Sequence, residues 1–386
     1  MPEAPQPIAP PKLAPPSVRL HELDSLRGLA ALGIVVHHYG VNFHASPWPS
    51  LFGQLYTGGW LLVDFFFVLS GFVLARTYWT PSRCRKIADN VWERIARLYP
   101  LHFCTLFAVL AGELVSTWLL GAQTLSSGCN DPFHFVLNLL LLQISGWHRG
   151  FSFNVPAWSI STEFIVNLMF FAVILLPRRL ALLLCIAVAL GSRGLPGYSG
   201  PLDPLVMRTA LGFFTGVLLQ RIYAFAIKKS WWRPSHWADA IAVGALVLLA
   251  ALFVNPALRG AGVVDWLGGK TTLFAILIAS VPLSITVRRL LCWPPLVYLG
   301  EISYSIYLVH FPLQIYCAIF FQAARIPAPY AHPWFLGVFL LVTIACASLT
   351  YAGIERPGKH LFRSIFAPAP IPAALVVALP CAETPT

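Results

Sequence analysis

The sequence predicts an all-α polytopic integral membrane protein of about ten transmembrane helices plus one short re-entrant or interfacial helix, with both termini cytoplasmic. Three observations carry this. Hydrophobic residues make up 58% of the 386-residue chain and charged residues only 11%, against about 25% charged in a soluble domain. Apolar stretches of about 18 residues or more recur along the whole sequence, as transmembrane helices require. Lysine and arginine cluster in alternate loops between those stretches.

The elements follow in order. Residues 1–20 are Pro-rich and lack the apolar core of a signal peptide, so they read as a flexible cytoplasmic tail. Residues 21–365 form one transmembrane domain, and 366–386 a second cytoplasmic tail too short to span. Spans are expected near 28–44, 58–77, 98–120, 157–176, 180–192, 205–222, 237–254, 270–287, 296–320 and 334–354. The fifth is short and must borrow flanking residues. The apolar piece FHFVLNLLLLQI at 133–144 suits a re-entrant or interfacial helix, because a full span needs about 20 residues.

Loop charge decides between ten spans and eleven. With ten spans and the N-terminus inside, 20 of the 26 Lys and Arg residues lie on the cytoplasmic side. Only Arg149, Arg193, Arg208, Arg259, Lys270 and Arg325 lie outside. An eleventh span at 133–144 would set the basic 76–97 loop opposite the other basic loops. The net charge of +11 therefore reads as topology rather than nucleic-acid binding, and a basic inner face suits an anionic co-substrate. The eight cysteines form no CxxC. They read as small buried hydrophobes, with neither a disulfide framework nor a metal site.

Ionisable residues inside a bilayer are costly and mark candidate sites. Arg27 opens the first span, and His38 lies eleven residues later, roughly 16 Å deeper by helical rise. Asp64 and Glu163 enter from the outer side of spans two and four, each roughly 9 Å down. His310 lies at similar depth in span nine. Four such residues in one slab suggest a shared polar cavity. His37 points about 100° away from His38, so only one of the pair faces it. Glu113 and Glu301 read as structural. At the inner side, Arg94 and Arg97 share a helix face just before Pro100. Two arginines fixed at a helix entrance suit phosphate or pyrophosphate.

Six short motifs resemble the membrane-bound acyltransferase family 3, a group of sugar O-acyltransferases, over about residues 20–365. LDSLRGLAALGIVVHHYG is similar to the family's first-helix motif, with Arg27 and His38 at its arginine and histidine. FFFVLSGFVLA at 65–75, RIARLYPLHF at 94–103, PAWSISTEF at 156–164, LGEISYSIYLVHFPL at 299–313 and YAGIERPGKH at 351–360 resemble the later ones, in the same order.

The resemblance implies transfer of an acyl group, commonly acetyl, from cytoplasmic acyl-CoA to a carbohydrate or glycan hydroxyl in the bacterial inner membrane. It selects His38 over His37 as general base. Glu163, or alternatively Asp64, then orients the ring as a third catalytic residue. Arg94 and Arg97 hold the CoA phosphates, and Arg27 steers the pantetheine arm. Trp158, Ser161, Tyr304 and Ser305, with Ser159, would contact substrate or the developing oxyanion, and His310 the acceptor. A covalent acyl relay stays open. Many members carry a C-terminal SGNH hydrolase-like domain. This sequence ends about 20 residues after its last span's basic stop, so a second transfer step would need another protein, or the membrane domain does everything; the expected protein partner is a second copy in a homodimer or a separate acyltransferase. The rival reading is a proton-coupled transporter using the same buried groups, disfavoured by the absence of repeated halves.

Overall fold

The computed structural model describes residues 19–80, 87–125, 128–192, 203–255 and 269–366. Residues 1–18 and 367–386 of the two tails, and Arg83, Arg85, Lys86, Arg193 and Arg259, lie outside them. Among the described residues every regular element is helical. The elements are α1 His21–Phe43, α2 Pro49–Gly58, α3 Leu62–Tyr78, α4 Ile87–Leu120, α5 Pro132–Leu139, α6 Trp158–Val173, α7 Arg178–Gly191 and α8 Pro204–Lys228. They continue with α9 His236–Val254, α10 Gly269–Ser280, α11 Thr286–Leu291, α12 Pro294–Glu301, α13 Ser303–Ala324, α14 Pro333–Thr350 and α15 Arg356–Phe366. A π-turn, Tyr351–Glu355, joins the last two.

Seven helices, or helices continued by an adjoining turn, are long and apolar enough to cross a membrane. Three of the ten expected spans are not among them. α1 carries His21, Glu22, Asp24, Arg27, His37 and His38 within 23 residues, which lowers its hydropathy. α7 has 14 residues and α10 has 12, or roughly 21 and 18 Å of rise. The expected 133–144 helix is the eight-residue α5, roughly 12 Å long and too short to span.

Close backbone contacts hold the bundle. Gly71 of α3 faces Phe213, and Gly216 faces Val68, so a Cβ at either glycine would collide with backbone. Gly212-Phe-Phe-Thr-Gly216 is thus a small-residue seam that seats α8 against α3. On the other side of the molecule, Gly28 of α1 meets Gly300 of α12 backbone to backbone.

Two prolines sit inside helices that matter later. Pro312 in α13 has no N–H for the carbonyl of Leu308, and Asn154 Nδ2 donates to that oxygen instead, at 3.2 Å. Pro100 in α4 receives Gly358 of α15 against its ring. The segment between α4 and α6 is tied down by polar contacts. Asp131 caps α5 by accepting the His134 backbone N–H (2.9 Å), His102 Nε2–H donates to the Asn138 carbonyl (2.8 Å), and Asn138 Nδ2 donates to Ser152 (2.8 Å).

Candidate active site

Two adjoining cavities open at the end of the bundle where α1 begins. The mouth cavity, about 490 Å³, is lined by Arg19, Arg27, Arg76, Arg97, Arg356, Lys359 and Arg363 against Asp24, Glu301 and Glu355. Seven cations face three carboxylates. Arg19 bridges Asp24 (2.7 Å) and Glu301 (2.8 Å). The π-turn widens the helix by a residue and brings Glu355 to Ser305, whose hydroxyl donates to it at 2.7 Å. Beyond the turn, α15 carries Arg356, Lys359 and Arg363 into the mouth. The closing Glu-Arg-Pro motif marked this place in the sequence, but the three cations read there only as a stop signal.

Arg27, Leu69, Val73 and Arg97 line this mouth and also the inner cavity, of about 100 Å³. The inner cavity reaches Ser70, Arg94, Ser159, Glu163, Tyr304 and Tyr307. Here the expected roles change. Arg94 is buried, and its Nη2–H donates to Glu163 Oε1 at 2.6 Å. The Ser70 hydroxyl donates to the same oxygen at 2.7 Å. Arg94 is the buried member and Glu163 the half-buried one, and the carboxylate supplies the counter-charge that a buried guanidinium requires.

Asp64 is likewise taken. Arg208 of α8 grips it through Nε (2.8 Å) and Nη2 (3.0 Å). The guanidinium lies 4.8 Å from the centre of the Trp60 ring and 5.8 Å from that of Trp158. The expected pairing of His38 with Glu163 or Asp64 is therefore not formed. Arg208 had been read as an outer loop charge only.

The partner of His38 is His310. His38 Nδ1 lies 2.9 Å from His310 Nε2, with the ring planes 11° apart. His310 Nδ1 lies 3.3 Å from the Ile306 carbonyl. A carbonyl can only accept, so His310 carries its proton on Nδ1 and offers the lone pair of Nε2. His38 then donates from Nδ1, and its own Nε2 bears the free lone pair. The hydrogen-bond order fixes the tautomer of both rings. His310 is fully buried, while His38 keeps partial exposure. His37 is held elsewhere, its Nδ1–H donating to the Tyr56 carbonyl (2.8 Å). One turn beyond the two rings, Asn42 Nδ2 donates to Gln314 Oε1 (2.7 Å), a pair that sequence reading missed.

The remaining residues expected to contact substrate are placed as follows. Ser161 is fully buried; it donates to the Leu141 carbonyl (2.8 Å) and accepts the Ile144 N–H (3.2 Å). Ser305 is buried against Glu355. Tyr304 lines the inner cavity, with its hydroxyl on the Leu98 carbonyl (2.6 Å). Trp158 is half-buried beside Phe67.

Residues 20–352 match the family model described as an acyltransferase domain. The chain is 28% identical over 415 residues to the acyltransferase MdmB of Streptomyces mycarofaciens, covering 94% of this chain and 97% of MdmB. It is 26% identical over 361 residues to BcsY of Komagataeibacter xylinus, named as a membrane-bound transacylase, covering 89% of this chain and 84% of BcsY. It is 26% identical over 379 residues to the O-acetyltransferase OatA of Staphylococcus aureus, covering 87% of this chain but 56% of OatA. No solved structure matches.

Proposed function

The chain belongs to the membrane acyltransferase family 3, and from that premise we propose that it transfers a short acyl group from cytoplasmic acyl-CoA to a hydroxyl of a carbohydrate or glycan, with His38 as general base. Residues 21–365 form the transferase domain of a bacterial inner-membrane protein, flanked by the two cytoplasmic tails. The observation that carries this reading is the ordered chain from the Ile306 carbonyl through His310 to His38. It leaves one imidazole lone pair poised on a partly exposed ring.

The acceptor hydroxyl loses its proton to His38 Nε2 as its oxygen attacks the thioester carbonyl. The C–O bond forms and the C–S bond breaks. The departing thiolate takes the proton from the imidazolium, leaving an O-acyl ester and free CoA. His310 acts as a positioning residue, holding the ring and sharing the positive charge. The anionic end of CoA is drawn to the mouth, where Arg97, Arg356, Lys359 and Arg363 supply charge-assisted hydrogen bonds. Arg27 guides the arm inward from its position on both cavities. Arg94 and Glu163 form the rigid wall of that passage.

The test is incubation of membranes with radiolabelled acetyl-CoA and the surface glycan fraction, comparing the native chain with His38→Ala. Label should enter an alkali-labile ester only with the native chain. Equal labelling by a well-folded His38→Ala protein would remove the base assignment.

A further inference from the structure

α1 and α13 carry two polar rungs between them. The first is the His38–His310 pair. The second is Asn42 with Gln314, each four residues further along its own helix, roughly 6 Å beyond by helical rise. The mouth lies where α1 begins, so the second rung stands on the far side of the histidines from it.

The second rung is incomplete. Gln314 is fully buried and its Oε1 accepts from Asn42 Nδ2, but its Nε2 has no hydrogen-bond partner among the described residues. Its N–H groups are withdrawn from water with nothing to donate to, an arrangement that stability alone disfavours. The α1 half of the rung is accessible. His38, Val41, Asn42 and Ala45 form one i, i+3, i+4, i+7 face at the end of α1. Val41 is exposed and the other three are half-buried. The rung thus presents a carbonyl oxygen on Asn42 and unpaired N–H groups on Gln314 beside the ring of His38. A hydroxyl both donates and accepts, so it suits both amides.

We infer that Asn42 and Gln314 bind a second hydroxyl of the acceptor while its reacting hydroxyl rests on His38 Nε2, so that the chain selects a polyhydroxylated ring over a simple alcohol or water. The inference rests on the acyl-transfer reading above. The separation of the two rungs is comparable with the width of a single sugar ring. No existing bond is given up, since Asn42 Nδ2 keeps Gln314 and His38 Nδ1 keeps His310. A site that hydrogen-bonds a substrate hydroxyl rejects the analogue lacking it, because its buried polar groups are then left unpaired.

The experiment uses membranes holding the full chain, radiolabelled acetyl-CoA and the surface glycan fraction, with glycan and acetyl-CoA varied in turn. Gln314→Met keeps an unbranched side chain and removes the amide. Asn42→Ala removes the α1 half. Each should raise the apparent KM for glycan about two- to tenfold, the worth of a neutral hydrogen bond, and leave the KM for acetyl-CoA unchanged. Purified Gln314→Met should keep the native unfolding midpoint, because the amide it removes has buried N–H groups without a partner. A purely structural role predicts the reverse, a lowered midpoint with the native glycan KM. That result, or a native glycan KM in a folded Asn42→Ala chain, would reduce the rung to a helix contact with a buried water and overturn the acceptor subsite. If Gln314→Met does not fold, Asn42→Ala decides alone. Failure of the native chain to label any glycan would instead overturn the acyl-transfer reading on which the subsite stands.

Discussion

His38 and His310 are joined ring to ring at 2.9 Å although 272 residues separate them in sequence. If His38 is the base proposed above, His310 stands where a carboxylate would ordinarily orient the imidazole. A neutral histidine can do so because the Ile306 carbonyl fixes its tautomer. His38→Ala should lower kcat by about 10²- to 10⁴-fold, the usual worth of a general base. His310→Leu should lower kcat with little change in acyl-CoA KM. His310→Gln, whose amide oxygen can accept from His38 Nδ1, should retain more activity than His310→Leu. Equal activity of the Gln and Leu variants would remove the positioning role.

The Arg94–Glu163 pair predicts a stability effect. Arg94 is buried and Glu163 half-buried beside the cavity, so removing one member leaves a partly solvated charge and costs less than the about 3–5 kcal/mol of a fully buried pair. Arg94→Leu and Glu163→Leu should each lower the unfolding midpoint of the purified protein by several degrees. The double variant should lose less than the two single losses combined. Additive losses would show that the two groups are energetically independent.

The mouth predicts a binding effect. Arg97→Ala and Lys359→Ala should each raise the KM for acyl-CoA roughly tenfold, since a charge-assisted hydrogen bond contributes about 1.5–3 kcal/mol. Raising the salt concentration should weaken donor binding in the native chain, and less so in these variants. Kinetics with acyl-CoA as the varied substrate, at two ionic strengths, decide it.

The α3–α8 seam predicts a folding defect. Gly71→Ala or Gly216→Ala places a methyl group against the backbone of the facing helix, and overpacking of this kind costs about 1–3 kcal/mol or more. Gly244, with open space around it, should accept alanine. Size-exclusion profiles in detergent should show loss of the monodisperse peak for the first two and not for Gly244→Ala.

Much of this was legible in the sequence. The apolar runs located most of the long helices, because burial in lipid demands length and composition that few other structures need. The Arg27 to His38 spacing put both candidate residues on one helix, as α1 does. Partner choice was not legible. Depth along a helix is known to about a turn, but direction around it depends on neighbours. By depth alone Glu163, then Asp64, reads as the companion of His38, and His310 as an acceptor contact. In the structure both carboxylates take arginines, one of which, Arg208, had been assigned to an outer loop. The π-turn before α15 was equally hidden, since one extra residue in a helix leaves no mark on apolar periodicity. It is this turn that points three cations of α15 into the mouth.

The contact between Gly28 and Gly300 has a mechanical consequence. Where two backbones touch, no side chain can swing aside to make room, so α1 and α12 behave as a single strut along one wall of the mouth. On the opposite wall α15 packs on the Pro100 ring through Gly358, and Phe362 meets Tyr99. Under the donor reading proposed above, α1, with His38 toward its far end, would be the fixed post against which an acyl donor is aligned.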